Sequence, residues 1–435
     1  MQQIDSGEVH AWHSVLFIYE AILFKNVISF FVPCDAERIL RIMWFLAGGG
    51  IWFSIMAMCY RFISHKFCYC ISVFLFGLLL LVLYKFRYTF FFYYIDYFFL
   101  CWLLLCITSI IYINGKNRKF WSLLFVLSAL HVALYRANAI VLIPVLSYWF
   151  IHSFSKLCSF RLRAGLAATL TVLLLGCSCF VKEVLPARKC SPTAVLIASE
   201  LRNKSLLVGE IEKELTNLRR SDMQYWYQID TPYNNAFFSD YGKTYLHGPT
   251  YPFPEDKWSN LIERYKDNWV NCTEEMLTVR CILTTQFFTN GYTPVWLRKI
   301  IEEKYPEVRK NIHSWTFEPD YFAETGRERP FIYLIFLFVM MYLFLKANSL
   351  KNRGMESGVI PDLLGLGSVA IVYTTSFLIL IPSPDNRYHA PSMYIIAFVL
   401  SIVSVSGGVS LRKVCIKSYF QICKRIGKLT TCWHN

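Results

Sequence analysis

The sequence predicts a mainly α fold: a polytopic transmembrane helix bundle of about nine helices, N-terminus outside and C-terminus inside, with one mixed, mostly helical extracytoplasmic domain. Three observations point there. Hydrophobic residues make up 55% of the chain and charged residues only 17%, against about 25% charged in a typical soluble domain. Several apolar runs approach the ~20 residues that cross a bilayer. Basic residues fall in short clusters between those runs, as the positive-inside rule distributes them.

In chain order, the apolar runs place membrane helices at 39–60, 66–84, 92–113, 119–134, 137–152, 163–183, 330–346, 359–382 and 391–409. Arg61/Lys66, Lys116/Arg118/Lys119, Lys156/Arg161/Arg163 and Lys346/Lys351/Arg353 mark the cytoplasmic turns. Lys85/Arg87, Arg136 and Arg387 fall in the opposite turns. The chain thereby divides into an extracytoplasmic segment 1–38 with an interfacial helix, a six-helix membrane bundle 39–183, an extracytoplasmic soluble domain 184–329, three membrane helices 330–409 and a basic cytoplasmic tail 410–435. Arg412, Lys413, Lys417, Lys424, Arg425 and Lys428 make that tail an anchor for anionic headgroups.

Residues 14–31 are apolar but interrupted by Glu20, Lys25 and Asn26, which suits a helix lying in the interface better than one that spans. A tenth spanning helix is the alternative. With residues 1–38 outside and no basic n-region at the start, the pattern favours a further helix upstream of this reading frame over unaided translocation.

The net charge of +14 is spread over loops and tail, and nothing resembles a nucleic-acid reading motif, so no nucleic-acid partner is expected. Most of the fifteen cysteines lie in apolar runs, where they act as small hydrophobes. Cys190, Cys272 and Cys281 fall in the polar segment, where a disulfide is feasible outside the cell; sequence does not give a pairing.

The most unusual stretch is Ser383-Pro-Asp-Asn-Arg387-Tyr388-His389-Ala390-Pro391, polar residues set between two apolar runs. Leu134-Tyr135-Arg136-Ala137-Asn138 is a second charged turn, and Trp12-His13-Ser14 and Ala36-Glu37-Arg38-Ile39-Leu40-Arg41 flank the first apolar segments. Together these pieces resemble the GT-C class of integral-membrane glycosyltransferases: an outer-loop His opening a juxtamembrane helix, an Arg-x-Asn turn and a late Arg-Tyr element. The residue after His13 is Ser14, where that class commonly has proline.

The resemblance implies transfer of a sugar from a polyprenyl-phosphate donor to a glycan or lipid acceptor, on the outer face of a bacterial inner membrane, with inversion at the anomeric carbon. Its catalytic carboxylate follows the first membrane helix, for which Asp5 and Glu8 are the nearest acids here and Asp96 a third. No metal set is predicted and no cofactor is firmly implied; a divalent metal is without support, since His10 and His13 lack a third ligand nearby. Expected partners are the lipid-linked sugar, the acceptor and membrane lipids.

Such a transfer needs a proton acceptor for the attacking hydroxyl and cations for the departing phosphate. Arg136 and Arg387 suit the second role, being always charged and able to grip phosphate with a planar fork. His13, Tyr388, His389 and Asn138 would line the cavity. Each has a structural alternative: Arg387 as an interfacial snorkel or a partner of Asp385, His13 as packing, Asp96 as a partner of Arg87, and Glu20 as part of a solvated face. Two other functions fit the organisation, a surface-polysaccharide polymerase or ligase and a degenerate, non-catalytic GT-C relative.

Overall fold

The computed structural model describes residues 2–7, 14–63, 66–84, 95–154, 159–186, 200–201, 204, 207–208, 255–289, 295–306, 329–352, 359–380 and 391–405. Among them the chain is helical, with no strand. The helices are α1 (Gln2–Ser6), α2 (Val15–Ser29), α3 (Ala36–Phe62), α4 (Lys66–Tyr84), α5 (Ile95–Tyr112) and α6 (Arg118–Tyr135). A 3-10 turn (Ala137–Val141) leads into α7 (Leu142–Phe154) and then α8 (Phe160–Val184). Beyond them come α9 (Glu255–Asn271), α10 (Thr273–Thr289), α11 (Val295–Lys304), α12 (Arg329–Asn352), α13 (Ile360–Leu380) and α14 (Pro391–Val405). Each of the nine apolar runs overlaps a described helix, with 137–152 beginning in the 3-10 turn and 92–94, 381–382 and 406–409 lying outside the described residues.

Local chemistry explains where these helices begin. Ser14, Asp35 and Ser159 are N-caps whose side-chain oxygens accept from the amides of Phe17, Arg38 and Leu162, satisfying donors that the first turn leaves open. Pro330, Pro361 and Pro391 stand in first turns, where proline has no hydrogen bond to lose.

Packing fixes the order of the helices. Tyr97 of α5 stacks on Trp44 of α3, and Tyr112 at the other end donates to the Ala57 carbonyl of α3 at 2.7 Å, so α3 and α5 run parallel. Trp102 meets His131 and Tyr112 meets Trp121, so α6 returns antiparallel to α5. Phe125 stacks on Phe150 at 4.0 Å and Arg163 meets His152 at 2.6 Å, continuing the alternation through α7 and α8. Phe99 stacks on Tyr373 of α13, while Thr374 donates to Ser392 at 2.8 Å. The starts of α3, α5, α7, α12 and α14 and the ends of α6, α8 and α13 thus gather at one end.

α5 is the axis of this bundle. Phe98, Phe99, Leu100, Leu103, Leu104, Cys106, Ile107 and Ile110 are all buried, as expected of a helix apolar on every side and enclosed by others. α8 and α12 are peripheral: Val172, Leu173 and Phe180 on one, and Leu337, Phe338 and Phe344 on the other, are exposed. Among the described residues three helices are long and apolar enough to cross a membrane: Ala36–Phe62, Phe160–Val184 and Ile332–Ser349.

The polar segment between α8 and α12 attaches at the end described above. Its helices have a core of their own, in which Leu207, Val279, Ile282 and Ile301 are buried together. Glu200 is buried there against Arg280, and it accepts a hydrogen bond from Tyr265.

Candidate functional site

The site is built where α5 begins and α6 ends. Asp96 lies in the first turn of α5 and is buried. Arg136 follows α6, with its backbone turned out to φ −138°, ψ 125°. This extended residue ends the helix and aims its side chain back at α5, where the guanidinium forms an ion pair with the Asp96 carboxylate. Only 12% and 9% of the two side chains is exposed. A lone charge in such a place would be costly, so each makes the other tolerable.

A second polar group stands one residue away. Glu20 of α2 faces His131 Nε2 at 2.8 Å through one carboxylate oxygen, and its other oxygen accepts from the Tyr135 hydroxyl. His131 and Tyr135 are four apart on α6, hence on one face. The His131 ring lies over Trp102 with centroids 3.9 Å apart, and its Nδ1 faces the Leu127 carbonyl at 2.7 Å. A carbonyl only accepts, so Nδ1 carries a hydrogen. The contact between Nε2 and Glu20 then holds one proton, on whichever side it resides.

α2 packs at this end of the bundle. Phe17 contacts both Phe98 and Tyr135, two residues from Asp96 and one from Arg136. Tyr19 donates to the Pro186 carbonyl at 2.5 Å, tying α2 to the end of α8. The opposite side of α2 and the turn after it leave Leu23, Val27, Phe30 and Phe31 exposed.

The structure distributes the sequence-predicted residues unevenly. Arg136 and Asp96 come together, so the partner of Asp96 is Arg136 and not the Arg87 expected from sequence; Arg87 lies outside the described residues. Asp5 sits on α1, where it accepts from Lys25 at 2.6 Å and from the Ala36 amide at 3.3 Å. The Lys25 hydrogen bond holds its carboxyl below the usual range, which makes it a weak proton acceptor. Asn138 lies in the 3-10 turn after Arg136. Glu8, His10, His13, Arg387, Tyr388 and His389 lie outside the described residues, as does Cys190. Cys272 and Cys281 are each free thiols.

Sequence reading passed over His131 and Tyr135. Their signal was present: two hydrogen-bonding side chains at i, i+4 in an otherwise apolar helix, matched by an acid in the neighbouring apolar segment. Among the described residues no group of three or more His, Cys, Asp or Glu side chains gathers as a metal site would need. No known family, curated protein or solved structure matches the chain.

Proposed function

We propose that the protein is a membrane glycosyltransferase of GT-C type, moving a sugar from a polyprenyl-phosphate donor to a glycan or lipid acceptor on the outer face of a bacterial inner membrane. On this reading α3 to α8 and α12 to α14 form the membrane bundle. The Asp96–Arg136 end faces outward, where the polar segment joins, and the exposed stripe on α2 lies in the interface. The observation that carries the reading is the buried arginine at that end, oriented by Asp96 beside a carboxylate–imidazole contact.

The chemistry would divide between the two polar groups. A guanidinium carries five N–H donors and one carboxylate takes at most two of them. Arg136 would therefore meet phosphate oxygens while Asp96 holds it, and stabilise the charge left when the sugar–phosphate bond breaks. Arg387 would supply a second cation. Glu20 would be the nearest acid outside that ion pair to take the acceptor's proton.

One observation favours a second reading. Arg136 is already neutralised by an internal carboxylate, which suits a non-catalytic relative whose buried pair only holds helices together. Transfer of labelled sugar from a polyprenyl-phosphate donor in reconstituted membranes separates the two. Arg136→Lys and Arg387→Ala are expected to lower transfer by at least ~100-fold, the scale of losing one transition-state donor. Unchanged transfer in both variants would remove the proposed phosphate roles.

A further inference from the structure

We infer that Glu20, His131 and Tyr135 also form a hydrogen-bonded clamp that holds α2 beside the Asp96–Arg136 pair. The inference rests on the site proposed above but not on its chemistry. α2 reaches the bundle through Phe17, Ile18 and Ala21, which are buried, and such apolar contacts give no fixed register. The Glu20 contacts to α6 and the Tyr19 bond to Pro186 supply it. Phe17, one turn before Glu20, is thereby set over Phe98 and Tyr135.

The clamp has two arms. His131 Nδ1 is committed to the Leu127 carbonyl, which leaves Nε2 to meet one Glu20 oxygen while Tyr135 donates to the other. Both partners lie on one face of α6, so losing either weakens the tie between α2 and α6.

Other charges near α2 are engaged elsewhere. Asp5 on α1 is taken by Lys25 and the Ala36 amide, Glu37 on α3 by Arg41, and Asp96 on α5 by Arg136. Glu20 is bonded by His131 and Tyr135, both from α6.

Amide hydrogen exchange of the full chain in lipid nanodiscs tests this without any substrate. After correction for intrinsic exchange, α2 amides of the unaltered protein should show an added protection that depends on the Glu20 contacts to α6. Glu20→Gln and His131→Phe should each speed α2 exchange about tenfold, the scale of losing a hydrogen bond to a charged group. Tyr135→Phe should raise the rate less. Exchange in α5 and α14 should be unaffected. Unchanged α2 exchange in Glu20→Gln, or equal acceleration throughout the bundle, would overturn the clamp. If the clamp holds while Arg136→Lys leaves sugar transfer intact, the functional reading falls alone.

Discussion

Asp96 opens α5, Arg136 closes α6, and the two meet as a buried ion pair. Removing one partner strands a charge in a low-dielectric site, which costs about 3–5 kcal/mol. Asp96→Ala should therefore lower thermal stability more than Asp96→Ala combined with Arg136→Met, where no charge is left behind. Melting both variants in detergent checks the order; equal losses would mean the charges do not interact.

Two glycines that face side chains across helix interfaces should respond differently to alanine. A Cβ on Gly365 would run into the Trp149 ring, and one on Gly367 would meet the end of the Met340 side chain. Trp149 is a rigid ring packed in the core, whereas a methionine can turn aside. Gly365→Ala should cost about 1–3 kcal/mol through overpacking. Gly367→Ala should be much milder, and unfolding curves of the two compare them directly.

At Gly48 the obstacle is a single oxygen. A Cβ there would lie 2.9 Å from Tyr97 Oη. Gly48→Ala should destabilise α3 against α5, and adding Tyr97→Phe should recover most of the loss. Lack of any recovery in a double-mutant cycle would mean the hydroxyl is not what alanine meets.

Two carboxylates outside the apolar helices should give opposite pH slopes. Asp5 is held low by its hydrogen bond to Lys25, so its contribution is present above the unfolded value of 3.8 and fades as pH falls through the lower folded one. Glu200 is pushed up by burial, against the lowering effects of Tyr265 and Arg280. Its contribution is complete below 4.5 and is lost as pH rises through the raised folded value. Asp5→Asn should flatten the acid side of the α1–α2 exchange profile. Glu200→Gln should flatten the higher side for α9 and α10. The Asp5 effect should also shrink in salt, since its side chain is half exposed.

The helices were legible in the sequence because hydropathy and capping are local. The helix starts near Asp35, Ser159 and the prolines at 330, 361 and 391 lie within a few residues of the edges of the apolar runs. The polar pairing was not legible. Periodicity places Asp96 and Arg136 near helix ends, but it does not say which ends adjoin, and Arg87 was as good a partner on paper. Glu20 read equally as an acid near the site or as part of a solvated face, because its partners lie on α6, far along the chain. What joins these residues is the alternation of helix directions, a property of packing and not of any window of sequence.

The Asp96–Arg136 pair also bears on how the chain is assembled. The pair joins two helices, so α5 without α6 lacks the base that faces Asp96, and α6 without α5 lacks the acid that faces Arg136. The hairpin formed by both is the smallest unit in which these two charges cancel. The two helices should therefore leave the biosynthetic machinery together, with the short link 113–117 as the pivot on which α6 folds back.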